Sequence, residues 1–204
     1  MKVLEKLTTL EFIEASGSLS PTPGGGSVIA TTAAMACSLG IKTANFTIGK
    51  KKYKENEETV IDIRNELEAL QNDFINLVDK DIESYNEVSK AYKMDKSDKN
   101  KAEALSLAYN NSALTLLSMM NKGANAIILM TKLKDICNPN LLTDVVAGNH
   151  ILQGIILAAY QMMLENAHNS VEKESYNICT EGNNLIIKLI EQNYLEVYKN
   201  GSNI

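Results

Sequence analysis

Cysteine is scarce in this sequence. Cys37, Cys137 and Cys179 are odd in number, lie far apart and show no CxxC spacing. This usage argues against both a disulfide framework and a cysteine zinc site. Charged residues also interrupt the apolar residues of positions 1–10, so no secretory signal is evident. We therefore expect a cytoplasmic protein with reduced thiols.

Positive charge is also in short supply, since 20 lysines and arginines stand against 25 aspartates and glutamates. The single basic cluster is the run of Lys50, Lys51 and Lys52. One short run is too little to bind along a polyanion, so nucleic acid is not an expected partner. The run is either solvated surface charge or a site for the carboxylates of a small anionic ligand.

Several catalytic motifs are absent. His150 and His168 lie eighteen residues apart with no acidic or cysteine group at metal-ligand spacing, so we predict no metal and no tightly bound cofactor. No Gly-x-Ser-x-Gly elbow occurs, which leaves a nucleophilic triad unsupported. The glycine segment 24–26 is not followed by the Lys-Ser/Thr pair of a phosphate-binding loop, so nucleotide triphosphates are disfavoured.

Helical periodicity runs through nearly all of the chain, whereas strand-like alternation is absent. With 204 residues, 45% apolar and 22% charged, the chain has the composition of a globular protein. We predict one domain over residues 1–204 with an all-α fold, an elongated up-and-down helical bundle. So slender a bundle is expected to complete its core by forming a dimer.

Start and stop signals divide the sequence into helices. Thr8 to Glu11 has capping-box spacing, which predicts a short helix to Ser16. A helix of small residues then begins at the cap Ser27 and ends before Gly49. Its small residues suit a buried helix or a subunit interface, and its weak hydrophobicity argues against a membrane span. Four longer helices are predicted at about 55–92, 101–134, 141–168 and 171–199.

Asp81 lies inside an apolar stripe, four residues after Leu77 and four before Tyr85. A carboxylate in this position is either held by a specific donor or raised in pKa, as a general acid or base near neutrality requires. The alternative is a structural role, with Asp81 paired to a lysine or placed at the solvated edge of the stripe.

Asp144 and the glycine loop are two further candidates. Asp144 lies near the start of a predicted helix, where the helix dipole favours aspartate without any catalysis. Two carboxylates that different helices bring to one cleft would form an acid and base pair. The loop of Gly24, Gly25, Gly26 and Ser27 exposes backbone N–H groups at a helix start, which is either an anion site or plain helix entry.

Five segments, taken in order, resemble the folate cyclodeaminase/cyclohydrolase family. These are Ser20 to Val28, the small-residue helix after it, Asn45 to Tyr53, Asp79 to Asp81 with Tyr85, and Asn138 to Val145. One segment departs from the family pattern: residues 165–170 read ENAHNS, where family members more often carry an Asn-Val-Arg-Ile-Asn type of segment.

The resemblance implies a cytoplasmic homodimer that binds a tetrahydrofolate derivative and acts on the methenyl bridge between N5 and N10. We expect cyclodeamination of 5-formiminotetrahydrofolate with release of ammonia, with Asp81 and Asp144 as acid and base. The alternatives are methenyltetrahydrofolate cyclohydrolase activity and a noncatalytic helical interaction protein. Neither nucleic acid nor a membrane is an expected partner. The expected substrate-binding residues are Gly24, Gly25, Gly26, Ser27, Asn45, Lys50, Lys51, Lys52 and Tyr85.

Overall fold

The computed structural model describes residues 2–171 and 173–194, and within these residues it contains helices and no strand. This confirms the predicted all-α fold. The α-helices are α1 (Val3–Lys6), α2 (Thr9–Ser16), α3 (Gly25–Thr47), α4 (Glu57–Tyr92), α5 (Lys101–Ile136), α6 (Leu142–His168) and α7 (Lys173–Leu189). Short 3-10 turns span Lys51–Asn56 and Pro139–Leu141, and a π-helical stretch spans Ile190–Tyr194.

Helices α3 to α6 form an up-and-down bundle in which each helix packs against the next and α6 returns to α3. α4 and α5 each contain 36 residues, which corresponds to about 54 Å of helix. α7 covers one side of α5 and α6, while α1 contacts α4. The core consists of large apolar side chains from the long helices, such as Phe74, Met120 and Leu152, packed around the alanines of α3.

α3 begins earlier than predicted, because Gly24 and not Ser27 is its N-cap. The Ser27 side chain is fully buried and donates its hydroxyl hydrogen to Asp81 of α4, so it is not available to cap its own helix. At the other end, Gly49 adopts a φ of 76°, a left-handed conformation that glycine tolerates best. The predicted stop at Gly49 is therefore confirmed.

The other predicted boundaries agree with the structure to within a few residues. The capping box at Thr8 starts α2, which ends at Gly17. α4 begins at Glu57 because the 3-10 turn occupies the residues just before it. The predicted end of the last helix, near residue 199, lies outside the described residues.

Three helical segments are long and apolar enough to cross a membrane, judged by length and composition alone. They are Gly25–Thr47, Lys101–Ile136 and Pro139–His168. The most apolar stretch is 61% buried within the protein in the first segment and 67% in the second, but 28% in the third. The third segment thus has the smallest buried share of the three, and the absence of a membrane partner stays a prediction.

Candidate active site

A cleft of about 240 Å³ opens where α3 begins. Its lining residues come from the loop before α3 and from α3, α4, α5 and α6. The cleft residues are Pro21, Thr22, Gly24, Gly25, Gly26, Asp81, Tyr85, Val88, Tyr109, Ser112, Met162 and Asn166. Five residues expected from the sequence to serve one site, namely the three glycines, Asp81 and Tyr85, therefore lie together.

Asp81 is the acidic side chain of this cleft. The hydroxyl of Ser27 donates a hydrogen bond of 2.8 Å to its Oδ2 atom. Burial raises the pKa of the Asp81 carboxyl, and the hydrogen bonds from the Ser27 side chain and backbone oppose that rise without cancelling it. Within residues 2–171 and 173–194, Asp81 forms no ion pair. The carboxyl can therefore change protonation state closer to neutrality than an exposed aspartate.

Gly26 allows the carboxylate to approach the start of α3. A Cβ atom built at this position would overlap the carboxyl group of Asp81. Any larger residue here would displace Asp81 or the first turn of α3. Glycine at this position is therefore explained by close approach of a side chain from α4.

Tyrosines form one wall of the cleft and extend it. Tyr85 and Tyr109 line both the Asp81 cleft and an adjoining trough of about 420 Å³ that continues to Tyr92 and Lys93. Burial raises the pKa of the Tyr109 hydroxyl, with smaller contributions from Tyr92 and Glu165, so its phenol stays protonated at neutral pH. Together the cleft and trough offer a polar end at Asp81 and aromatic surface beyond it.

Ser112 and Asn166 form a polar pair that also lines the cleft. The side-chain amide of Asn166 donates a hydrogen bond of 3.0 Å to the Ser112 hydroxyl. Sequence reasoning identified neither residue, and it also missed Tyr109. Asn166 nevertheless lies in the segment 165–170, which departs from the family pattern. That departure could have directed attention to Asn166 from the sequence.

Asp144 lies away from this cleft. Its Oδ2 atom accepts a hydrogen bond of 2.8 Å from Lys42 Nζ, near the other end of α3. Ser27 and Lys42 are fifteen residues apart in this helix, which separates them by about 22 Å. The expectation that Asp81 and Asp144 share a cleft is therefore wrong within one chain, because the two acids contact opposite ends of the same straight helix.

The remaining predicted binding residues also lie at that far end. Asn45, Lys50, Lys51 and Lys52 are exposed, and none of them lines the Asp81 cleft. The ammonium group of Lys52 lies 5.5 Å from the centre of the Tyr53 ring. Within one chain, these four predicted binding residues therefore do not lie in the same site as Asp81. We call Lys42, Asn45, Lys50 to Lys52 and Asp144 the distal cluster.

The residues that could hold a metal are dispersed in the described part of the chain, where no three His, Cys, Asp or Glu side chains come together. The cysteines are free, with Cys37 and Cys137 buried. Burial raises the pKa of the Cys37 thiol to about 12, so it remains protonated. The ionisable group that stands out at the cleft is thus the Asp81 carboxyl.

Comparisons with known proteins agree with this architecture. A methenyltetrahydrofolate cyclohydrolase of Methylorubrum extorquens is 36% identical over 86 residues, which cover 42% of this chain and 41% of that protein. A formimidoyltransferase-cyclodeaminase of Gallus gallus is 23% identical over 185 residues, or 89% of this chain and 34% of that protein. The matched regions thus span less than half the length of either curated relative.

A solved structure is similar along nearly its whole length. The formiminotetrahydrofolate cyclodeaminase of Thermotoga maritima superimposes with a TM-score of 0.80 at 26% identity, over 92% of this chain and 93% of that one. In addition, the model of the formiminotransferase-cyclodeaminase family matches residues 8–181. The chain therefore belongs to the formiminotransferase-cyclodeaminase family.

Proposed function

We propose that this protein is a folate-dependent enzyme of one-carbon metabolism that converts 5-formiminotetrahydrofolate to 5,10-methenyltetrahydrofolate and releases ammonia. Family membership supports a folate enzyme. The similarity to the Thermotoga maritima cyclodeaminase over nearly the full length of both chains favours cyclodeamination. The observation that carries the proposal is the half-buried Asp81 carboxyl, whose pKa is raised by burial, in a cleft with tyrosine walls.

The reaction needs both a proton acceptor and a proton donor. N10 attacks the formimino carbon, a new C–N bond forms, and the bond to the leaving nitrogen breaks. When the formimino group starts in its protonated form, =NH2⁺, N10 loses one proton and the leaving nitrogen gains one, so that nitrogen departs as NH3 and the positive charge stays on the methenyl product. A carboxyl with a raised pKa can accept a proton and return it near neutral pH, which is the role proposed for Asp81. Its anionic form would also stabilise the methenyl cation.

The cleft and trough carry groups that suit the parts of a folate. Tyr85, Tyr92 and Tyr109 offer faces for planar rings, which bind aromatic side chains well. Lys93 stands at the far end of the trough and is exposed, so it suits a carboxylate of the glutamate tail. In this arrangement the reacting nitrogens lie near Asp81 and the tail extends toward Lys93.

Methenyltetrahydrofolate cyclohydrolase activity is the second candidate. It is favoured by the 36% identity over 86 residues to the Methylorubrum extorquens enzyme of that name. In this reaction water adds to the methenyl carbon and the same carboxyl would take a proton from it. The C–N5 bond then breaks as N5 gains a proton and the added hydroxyl loses one, which leaves the formyl group on N10. A homodimer in the cytoplasm, as expected from the sequence, is part of both proposals.

Near-ultraviolet absorption by the methenyl group distinguishes the candidates. Purified protein is incubated with 5-formiminotetrahydrofolate and, separately, with 5,10-methenyltetrahydrofolate. Appearance of the absorption band with ammonia release supports the first proposal, and its disappearance with a 10-formyl product supports the second. If neither reaction is accelerated, the chain is a noncatalytic helical protein.

A further inference from the structure

Ser112 and Asn166 bring an unused hydrogen-bond donor and an unused acceptor to the Asp81 cleft. Both side chains line the cleft, and their mutual hydrogen bond runs from the Asn166 amide to the Ser112 hydroxyl oxygen. In the part of the chain that the structure describes, the Ser112 hydroxyl hydrogen has no acceptor and Asn166 Oδ1 has no donor. Polar groups in a cleft that the protein leaves unpaired are available to a ligand.

The Ser112 hydroxyl is not used by its own helix. Thr115, three residues later in α5, donates its hydroxyl hydrogen to the carbonyl oxygen of Asn111, four residues before it. Such bonds to the preceding turn are common for serine and threonine within helices, and they use up the donor. Ser112 forms no such bond to Ala108. Its hydroxyl oxygen is held by Asn166 of α6 instead, which leaves the hydrogen free for the cleft.

A cyclic lactam is the ligand group that matches this pair. A ring N–H beside a C=O donates to Asn166 Oδ1 and accepts from the Ser112 hydroxyl at the same time. The pyrimidine ring of a pterin carries this edge at N3 and the C4 oxygen. The pair is uncharged, so it suits a neutral lactam better than the carboxylates of a glutamate tail, for which Lys93 stands at the far end of the trough.

We infer that Ser112 and Asn166 bind the lactam edge of the pterin, with the Ser112 hydroxyl donating to the C4 oxygen and Asn166 Oδ1 accepting from N3–H. This inference rests on the proposed function, and it names the part of the folate that the cleft recognises. The C4 oxygen lies on the same side of the pterin as N5. Binding this edge therefore places N5 in the cleft that holds Asp81.

Two folates that differ at one edge test the contact without turnover. Folic acid carries the lactam, whereas aminopterin has an amino group in place of the C4 oxygen and no hydrogen on N3. Aminopterin would set a bare N3 against Asn166 Oδ1, so its Kd by isothermal titration calorimetry should be at least about 10-fold higher than that of folic acid. Equal Kd values, tighter binding of aminopterin, or no binding of folic acid at millimolar concentration would overturn the assignment.

Substitution of Asn166 locates the discrimination. Asn166→Leu removes the acceptor, so the Kd of folic acid should rise about 10-fold. Aminopterin loses a repulsive contact in the same variant, and the ratio of the two Kd values should fall toward one. Gln161→Leu, at an exposed position of α6, is the matched control and should keep the wild-type ratio. If Asn166→Leu loses helicity by circular dichroism, Asn166→Ala replaces it. A wild-type ratio without the Asn166 amide contradicts the inference.

Substitution of Ser112 tests the donor. Ser112→Ala is expected to raise the Kd of folic acid about 10-fold, because the C4 oxygen loses its hydrogen bond. Ser118→Ala is the matched control, since Ser118 is half-buried in the same helix and does not line the Asp81 cleft. Equal affinity of these two alanine variants for folic acid would show that Ser112 does not contact the pterin.

Further measurements separate this inference from the proposed function. Guanosine carries the same lactam edge without the aminobenzoyl group and tail, so it should bind more weakly than folic acid, and equal binding would overturn the assignment to a pterin. A wild-type protein that prefers folic acid to aminopterin but converts neither folate substrate retains the pterin site, while the proposed reaction fails. Conversion of 5-formiminotetrahydrofolate without that preference supports the reaction and overturns the Ser112 and Asn166 contact.

Discussion

An aspartate from a neighbouring helix contacts α3 near each of its ends, and the two aspartates differ in burial and in their partners. At the first turn, Asp81 is half-buried, accepts hydrogen bonds from Ser27 and has no cationic partner in the described residues. Near the last turns, the Asp144 side chain is 27% exposed and pairs with Lys42 at 2.8 Å. The comparison teaches that the surroundings of an aspartate, and not its position in a motif, determine whether its charge is neutralised by the fold.

The largest expected effect comes from Asp81→Asn, which removes the ionisable group and keeps the shape. If Asp81 transfers protons, kcat should fall by about 10²- to 10⁴-fold, with wild-type helicity by circular dichroism. Glu83→Gln is the matched control, since Glu83 is exposed on the same helix and should tolerate the change. Turnover of Asp81→Asn at the wild-type rate would remove Asp81 from catalysis.

Gly26→Ala tests the close approach at the head of α3. The added Cβ overlaps the Asp81 carboxyl, so we expect the carboxyl to move and kcat to drop by about 100-fold. Gly154→Ala in α6 is the control, because a Cβ there meets no atom within 4 Å. Equal turnover by the two alanine variants would show that the carboxyl position is not critical.

The folding stability of the protein should depend on pH through Asp81, and this effect is expected to be smaller than those of the two substitutions above. Because burial raises its pKa in the folded state, the folded protein binds the proton more tightly than the unfolded chain. The charged form therefore lowers stability above the raised pKa, and this penalty is relieved as the pH falls through it. Urea unfolding of the wild type and Asp81→Asn across this range should give a stability difference that shrinks toward acid pH. A difference independent of pH contradicts the proposed titration.

The smallest effect is expected at the other end of α3. Lys42 and Asp144 form a partly exposed pair, so the coupling energy from a double-mutant cycle with Lys42→Met and Asp144→Asn should be below about 1 kcal/mol. Urea unfolding of the four proteins gives this value. A coupling of several kcal/mol would mean that the pair is far better shielded than its exposure indicates.

Much of the fold could be read from the sequence because its determinants are local. The capping box at Thr8, the periodic apolar residues of α4 and the proline after α5 all act within a few residues of themselves. The position of Asp81 within the apolar stripe likewise predicted a carboxyl removed from full solvation. These features depend on local sequence alone, and they agree with the structure.

The parts that were missed depend on contacts between distant segments. Ser27 has the composition of a helix cap, yet its hydroxyl bonds to Asp81, 54 residues later in the chain. Tyr109 and Asn166 line the cleft because α5 and α6 pack against α3, and no local spacing in the sequence encodes that packing. The separation of Asp81 and Asp144 similarly follows from where α4 and α6 meet α3.

The cleft lies beside the start of a helix that is shorter than its neighbours in the bundle. α3 has 23 residues and α4 has 36, and the prolines at positions 21 and 23 keep α3 from growing into the remaining space. The dimensions of the cleft can therefore change one helical turn at a time, through the segment before Gly24, while the packed interior is left as it is. A related protein that accommodates a bulkier substrate would need a later start to this helix and no redesign of its core.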